Sequence, residues 1–418
     1  MPLADAPVGP RAGDRGLRVL AAIELGGNWG HLLRVGPLLE TLRRCGHAVA
    51  LATPEPAAAA RMLAGKPVEI FACPLLNRTH AVPAGLRFKH YVQILEHCAF
   101  GSEAVLVSNL RQWAALLRSA RPDVIVIDFS PMALLAAHLC GLPAVQVSTG
   151  WEAPPAGEPL PMIPPWQGED PAPHVEQEAR LLARLNRQCA AHGVRAFSRV
   201  SDLYAVGSQL LCTWPETDHF APRRQARYIG PIFSADHGHD TGWAAAPPTR
   251  ARVFAYLSAD WRNVALIEAL CQAGVDAVAV LPGISADAVQ RLRAAGARIF
   301  DSAVRIDSAV RHARLVISNG GHGLIGASLG AGVPMLMLPR SAEQAMIVDR
   351  LVGLGLARKF GPPEQFGADI ERALSDGACQ AAARAMAERH AGSTVDSALI
   401  AVADEIERAA AARAAARA

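Results

Sequence analysis

The sequence predicts an α/β protein of two doubly wound domains, each built on a parallel sheet, and three observations carry that prediction. Short apolar runs alternate with helical stretches along nearly all of the 418 residues. Two of those runs end in glycine-bearing turns that open a helix, at residues 26–30 and 320–323. The halves are separated by residues 234–249, a Gly- and Pro-bearing stretch with the composition of a linker.

Residues 17–23 form an apolar run of buried-strand type, closed by Gly26-Gly27-Asn28-Trp29-Gly30. His31 then opens a helix whose Leu32, Val35, Leu38, Leu39 and Leu42 recur at helical spacing, and Cys45-Gly46 stops it. With a strand at 47–52 this is a βαβ unit whose glycine turn lies at the carboxyl edge of the first strand. A helix at 57–65, a strand at 68–71, a loop at 73–89 and a helical stretch at 90–119 are expected next. The run Val124-Ile125-Val126-Ile127 then delivers Asp128 to the sheet edge, on the rim that carries His31. A carboxylate there can serve chemistry or cap the helix that follows. That helix ends at Cys140 and a strand follows at 144–147. Residues 151–173 are rich in proline, 175–198 read as helical, and 202–207 and 226–231 read as the last strands of the first domain.

The second half begins with a strand at 252–257 and Ser258 at its edge. A helix at 261–273, a strand at 277–281, a helix at 286–296, a strand at 297–300 and a helix at 306–313 follow. Residues 315–317 then run into Ser318-Asn319-Gly320-Gly321-His322-Gly323, a small-residue helix at 324–329, and the Gly332-Val333-Pro334 turn to a strand at 335–338. Glycines at a strand-to-helix turn expose main-chain N–H groups at the positive end of the helix dipole, which makes an anion cradle. Such glycines also occur simply to let a helix pack closely. Beyond Ile370 the chain is helical and Ala/Arg-rich, with a frayed end expected at 409–418. The expected organisation is a disordered tail at 1–16, a first domain at 17–233, the linker at 234–249, a second domain at 250–385, and a C-terminal helix and tail at 386–418.

From Ser318 to Gly355 the chain resembles the nucleotide-sugar-binding signature of family 1 glycosyltransferases. It keeps the glycines, the Gly332-Val333-Pro334 turn, and Pro339 followed by Glu343-Gln344. It departs at Asn319, where the family has a phosphate-contacting histidine, at Leu324, where it has a hydroxyl residue, and at Ala327, where it has a ribose-binding glutamate. Gly30-His31 with Cys45-Gly46-His47 resembles the N-terminal motif of the same family, whose first histidine is the catalytic base; the proline three residues on is Arg34 here. Asp128 occupies a position similar to that of the aspartate that orients this histidine.

The resemblance implies the GT-B fold, two Rossmann-like domains facing each other across a cleft. It implies transfer of a sugar, with inversion, from a nucleoside diphosphate to a hydroxyl of a small-molecule acceptor of natural-product or lipid-like kind. His31 would be the base and Asp128 its partner. Ser258, Asn319, Gly320, Gly321, His322, Gly323, Glu343 and Gln344 would hold the donor, and Trp29, Trp151 and Trp166 the acceptor, the proline-rich stretch serving as its wall or lid. Asn319 could give a phosphate one neutral hydrogen bond, the main-chain cradle carrying most of the diphosphate binding. There is no Asp-x-Asp pair, so neither a metal nor a cofactor beyond the sugar nucleotide is required. The alternative, prompted by Asn319, Leu324 and Ala327, is a catalytically degenerate GT-B scaffold acting as a partner or activator; an epimerase on the same fold fits the acceptor-side base less well.

Composition narrows the field. A formal net charge of +3 supplies no basic field for nucleic acid. No apolar run reaches the roughly 18 residues of a transmembrane helix, and the first residues lack the regions of a signal peptide, which suits a cytoplasmic protein. The eight cysteines are scattered with no CxxC pair, so isolated buried thiols are expected instead of disulfides or zinc. Asp236-His237-Gly238-His239-Asp240 looks like a metal tract, yet a flexible segment makes a poor rigid site.

Overall fold

A computed structural model describes residues 16–25, 29–74, 88–165, 168, 170–223, 225–234, 238–243 and 248–417. The expected tail at 1–16 therefore lies outside the described residues but for Gly16. By internal contacts the chain divides into two compact units. One holds Met1–Thr213, Pro222–Ile229 and Val395–Ala418, the other Trp214–Ala221 and Gly230–Thr394.

In the first unit the chain runs β1 (Arg18–Ile23), α1 (Trp29–Arg44), β2 (Ala48–Thr53), α2 (Pro56–Met62), β3 (Glu69–Ala72), α3 (Tyr91–Leu95), α4 (Glu103–Ala120), β4 (Val124–Asp128), α5 (Pro131–Leu139), β5 (Ala144–Ser148), α6 (Ala172–Ala191) and β6 (Ser208–Leu211). The six strands are parallel in the order β3-β2-β1-β4-β5-β6. The second unit runs β7 (Arg252–Tyr256), α7 (Trp261–Gln272), β8 (Asp276–Val280), α8 (Ala286–Ala294), β9 (Arg298–Phe300), α9 (Ile306–His312), β10 (Leu315–Ser318), α10 (His322–Gly330), β11 (Met335–Met337), α11 (Ala342–Gly353), β12 (Ala357–Lys359), α12 (Phe366–Ser375) and α13 (Gly377–Arg389). Its six parallel strands repeat the pattern, β12-β11-β10-β7-β8-β9. The final helix α14 (Val395–Arg417) returns to the first unit and packs on α1, β4, β5 and β6.

Burial explains the patterning. Strands β4 and β5 are buried at every residue, as strands covered by helices on both faces must be. In the second unit Val253, Ala255, Ile317 and Leu336 line one core, while Phe254, Val316 and Met337 line the core on the opposite face.

Several local expectations are corrected. Residues 202–207, read as a strand, form a 3-10 turn at Val200–Ala205, because the Asp202 carboxylate accepts from the N–H groups of Ser198 (2.9 Å) and Arg199 (3.1 Å) and so holds the chain curled. The strand is Ser208–Leu211, and of the run at 226–231 only Tyr228 bridges to it. The helix expected at 90–119 is broken by a π-turn at Glu96–Phe100 and restarted by the Ser102 cap. The part of the linker at 238–243 is docked on the second unit: His239 bridges Val304, and Trp243 is buried with Arg252 and Arg298 over its ring. Asp236 and His237 lie outside the described residues. The terminal helix continues to Arg417 instead of fraying from 409. All eight cysteines are free thiols, though Cys140 is exposed and Cys45, Cys98 and Cys271 are half-buried. Among the described residues no helix is long and apolar enough to cross a membrane.

Candidate active site

Each sheet reverses its strand order once, between β1 and β4 in the first unit and between β7 and β10 in the second. At such a point the connections leave in opposite directions and open a crevice at the carboxyl ends of the strands. His31 and Asp128 sit at the first of these, and Ser258, Asn319 and the glycines from Gly320 to Gly323 at the second.

At the first, Ile23 of β1 lies opposite Asp128, the last residue of β4. His31 stands in the first turn of α1, and its Nδ1 is 3.1 Å from Asp128 Oδ1. Asp128 has no exposed surface. It is not a helix cap: Ser130 holds the N-cap position of α5, and the Asp128 carboxylate faces His31 and Arg34. The next residue, Phe129, has φ +47°, an outlier for a bulky side chain. Its carbonyl accepts from Leu25 N (3.1 Å), joining the two rims, and its ring stacks 6.2 Å from that of His31. Glu24 completes this rim, accepting from Met132 N (2.9 Å) and Trp113 Nε1, and burial pushes its carboxyl up to about 8.

Arg34, one helical turn after His31, belongs to the same cluster. Its Nη2 donates to Asp128 Oδ1 and to Glu152 Oε1 (2.7 Å) and lies 3.0 Å from His31 Nδ1, while its Nε is 3.4 Å from Asp128 Oδ2. The other Glu152 oxygen accepts from Thr149 N (2.7 Å), Thr149 Oγ1 (2.8 Å) and Ser148 Oγ (3.0 Å). His31, Asp128 and Glu152 bring ligand atoms within 4.8 Å of one another, a spacing that would suit a metal ion, and the cation among them is the guanidinium of Arg34.

The electrostatics follow from this packing. Burial lowers the pKa of His31, but the Asp128 carboxylate, through its charge and its hydrogen bond, more than offsets that; Arg34 opposes and Glu152 assists, and the net pKa lies above the ordinary 6.5. Burial likewise works against the charged form of Glu152, and Arg34 overcomes it, holding this carboxyl well below the usual range.

Sequence reasoning registered Arg34 only as a departure from a motif and did not single out Glu152. Glu152 follows Trp151 in the proline-rich stretch, with no local pattern to mark it. Trp151 is half-buried; its carbonyl accepts from the Tyr91 hydroxyl (2.8 Å) and its ring meets that of Tyr91 edge-on. The described part of the stretch is anchored by buried Ala153, Leu160 and Ile163 and by Tyr91 N to Pro161 O (3.1 Å) and Ile163 N to Lys89 O (2.8 Å). Trp29 is the first residue of α1, and Trp166 lies outside the described residues.

At the second crevice Gly320 has φ +103°, a conformation that admits glycine and few others, and Gly321 is the N-cap of α10. A Cβ on Gly321 would meet nothing within 4 Å, so the space beside this residue is open, while the Gly320 N–H donates to Ser318 Oγ (2.9 Å). Gly323 plays a different part: a Cβ there would stand 3.3 Å from Phe233 Cβ, so its smallness serves close packing of α10. Asn319 is an internal tie. Its Oδ1 accepts from Ser258 N (3.0 Å) and its Nδ2 donates to Leu338 O (2.7 Å), linking the rims of β7, β10 and β11. Leu324 and Ala327 are buried in the core beneath α10. The His322 ring stacks on that of buried His219, whose Nε2 is 3.5 Å from Glu343 Oε1. Gln344 lies under the turn and accepts from Arg340 N (2.9 Å).

Comparison with known proteins accords with this geometry. Residues 30–204 match the glycosyl transferase 4-like domain. A PGL/p-HBAD biosynthesis glycosyltransferase of Mycobacterium tuberculosis is 26% identical over 309 residues, 67% of this chain and 70% of the relative. A zeaxanthin glucosyltransferase of Pseudescherichia vulneris is 24% identical over 291 residues, 64% of this chain and 69% of the relative. Among solved structures, the calicheamicin glycosyltransferase CalG4 superposes with a TM-score of 0.68 at 20% identity, covering 94% of this chain and 98% of that one. The spinosyn rhamnosyltransferase SpnG gives 0.66 at 22% identity, with 93% and 99% covered. The chain thus has the two-domain GT-B fold, carries a match to the glycosyl transferase 4-like domain over residues 30–204, and is similar to glycosyltransferases of that type.

Proposed function

We propose that the protein moves a sugar, with inversion, from a nucleoside diphosphate to a hydroxyl of a small, largely apolar acceptor, with His31 as general base. The observation that carries this is the pairing of His31 Nδ1 with the buried Asp128 carboxylate at 3.1 Å. With its proton on Nδ1, the ring keeps the Nε2 lone pair for the acceptor O–H. The hydroxyl oxygen forms a bond to the anomeric carbon as its proton passes to Nε2. The bond from that carbon to the diphosphate breaks, and its electron pair leaves with the nucleoside diphosphate. Asp128 stabilises the imidazolium formed in this step, and a histidine is the side chain suited to it. The Gly320 N–H donates to Ser318 Oγ (2.9 Å), so the main-chain N–H groups from Gly321 to Gly323, at the amino end of α10, would receive the charge building on the leaving group, with no metal.

Relatives named for zeaxanthin and PGL/p-HBAD, and a neighbour solved with spinosyn aglycone, support an apolar acceptor, which the Trp151 stretch would contact. Neighbours solved with thymidine diphosphate support a nucleotide-sugar donor. A cytoplasmic location belongs to the same proposal. His31→Ala should lower kcat by about two to four powers of ten while UDP or dTDP binding stays near that of the parent. A His31→Ala enzyme of undiminished turnover overturns the assignment. A parent that binds no nucleotide and transfers no sugar would instead fit the scaffold reading, which the internal use of Asn319 and the burial of Leu324 and Ala327 favour.

A further inference from the structure

We infer that Glu152 is a positioning residue: by engaging Arg34, it keeps the His31 proton on Nδ1 and so leaves Nε2 free to act as the base. The inference rests on the proposed role of His31 and adds a device that the His31–Asp128 pair alone does not contain.

The reasoning is an account of hydrogens. Arg34 Nη2 carries two, and three acceptors stand around it: Asp128 Oδ1, Glu152 Oε1 at 2.7 Å and His31 Nδ1 at 3.0 Å. While both carboxylates take one each, none is left for His31. Its Nδ1 must then hold its own proton and donate it to Asp128 Oδ1, 3.1 Å away. If Glu152 withdraws, the freed hydrogen of Arg34 points at His31 Nδ1. That nitrogen becomes an acceptor, the ring proton moves to Nε2, and the lone pair that would receive the acceptor proton is gone.

Charge bears on a second property, the pKa of His31. Asp128 and Glu152 contribute two negative charges and Arg34 one positive, so the cluster is neutral only when His31 is an imidazolium. All three charged partners are buried, where solvent does little to damp the balance. Without the charge of Glu152, protonating His31 would leave the cluster at +1. Also facing this set are the Cys212 thiol and the Tyr91 hydroxyl, both of which burial pushes up and keeps neutral, and the ring of Phe129. Glu152 suits the task because Ser148 and Thr149 fix its second oxygen with three donors, so the first is aimed at Arg34.

The test compares Glu152→Gln with the double variant Arg34→Met/Glu152→Gln, using 15N-histidine NMR of the substrate-free protein, with His31→Ala to assign the signal. A glutamine amide has one oxygen for two acceptor positions that the carboxylate fills with two. In the single variant the His31 signal should change from the Nδ1–H to the Nε2–H tautomer, and its pKa should fall by about one unit or more. The double variant has the same cluster charge as the parent and no competing donor, so both tautomer and pKa should return. Thr149→Val removes one anchor of Glu152 but leaves its contact with Arg34, and should keep the parent tautomer. If Glu152→Gln keeps the Nδ1–H tautomer, if the double variant does not restore it, or if Thr149→Val changes it equally, the inference is wrong. Should the single variant not fold, Glu152→Asp, whose shorter side chain draws the carboxylate back from Arg34, is read in its place and should show the same change of tautomer; a parent tautomer there overturns the inference. Because the signal is read without substrate, it stands or falls separately from the base assignment, which the turnover of His31→Ala decides.

Discussion

Gly320 and Gly321 are neighbours in one turn, and the structure gives them opposite roles that two alanine substitutions can separate. At Gly320 a side chain would have to adopt φ +103°, and its Cβ would lie 3.2 Å from Gln344 Cβ, 3.4 Å from Gln344 Cγ and 3.5 Å from Val348 Cγ2. The backbone conformation alone costs about 1–3 kcal/mol. Crowding against Gln344, held on a packed helix, adds roughly 1 kcal/mol at the low end of overpacking effects. Gly320→Ala should therefore lose about 2–4 kcal/mol of stability. Gly321 has φ −66° and no heavy atom within 4 Å of the added Cβ, so Gly321→Ala forfeits only N-cap preference, about 1 kcal/mol or less. Urea unfolding read at the midpoint with unchanged slope measures both. Binding should separate the pair in the opposite sense. Gly321→Val puts its bulk into the open space at the N-cap of α10, and if a diphosphate is held there calorimetry with UDP and dTDP should show at least a tenfold loss, about 1.4 kcal/mol. A Gly320→Ala protein as stable as Gly321→Ala, or a Gly321→Val protein that binds nucleoside diphosphates like the parent, would refute this account of the turn.

Asn319→Ala should cost about 1–3 kcal/mol in the same unfolding assay, because Ser258 N–H and Leu338 C=O both lose a partner beside the rim; an unchanged midpoint would show that the tie does not form. Asp128→Asn removes the group that raises the His31 pKa, so that pKa should fall, by NMR titration, and turnover should drop by about two or more powers of ten. A parent-like titration would be incompatible with the 3.1 Å contact. Glu24 predicts a pH dependence of stability. Its folded pKa of about 8 lies above the ordinary 4.5, so the folded protein keeps a proton that the unfolded chain releases. Its contribution is therefore fully present below 4.5 and is lost as pH rises to about 8. Glu24→Gln should flatten the stability profile across that window, and an identical slope in parent and variant would count against the buried acid.

Much of the architecture could be read from the chain because it is local in origin. Apolar runs bounded by glycine turns define strands and helix starts within a few residues, and the right-handed βαβ rule then leaves few ways to arrange them. That reasoning brought His31 and Asp128 to one rim and the turn at Gly320 to another. Where nearby side chains compete with the backbone, the same reasoning failed: the curl at Asp202 and the cap at Ser102 are hydrogen-bond choices that periodicity does not register.

The chemistry of the rim was settled only by tertiary structure. Arg34 and Glu152 are 118 residues apart and Arg34 and Asp128 are 94 apart, so no spacing rule joins them, yet packing places one guanidinium between two carboxylates and a histidine. The role of Asn319 likewise depends on Ser258, 61 residues before it, and the smallness of Gly323 on Phe233 pressed against α10. Helical and strand periodicities record which face of an element is buried. Which buried polar group meets which is decided by the folded sheet order, since a charge removed from water must find its partner among whatever residues that order brings within reach.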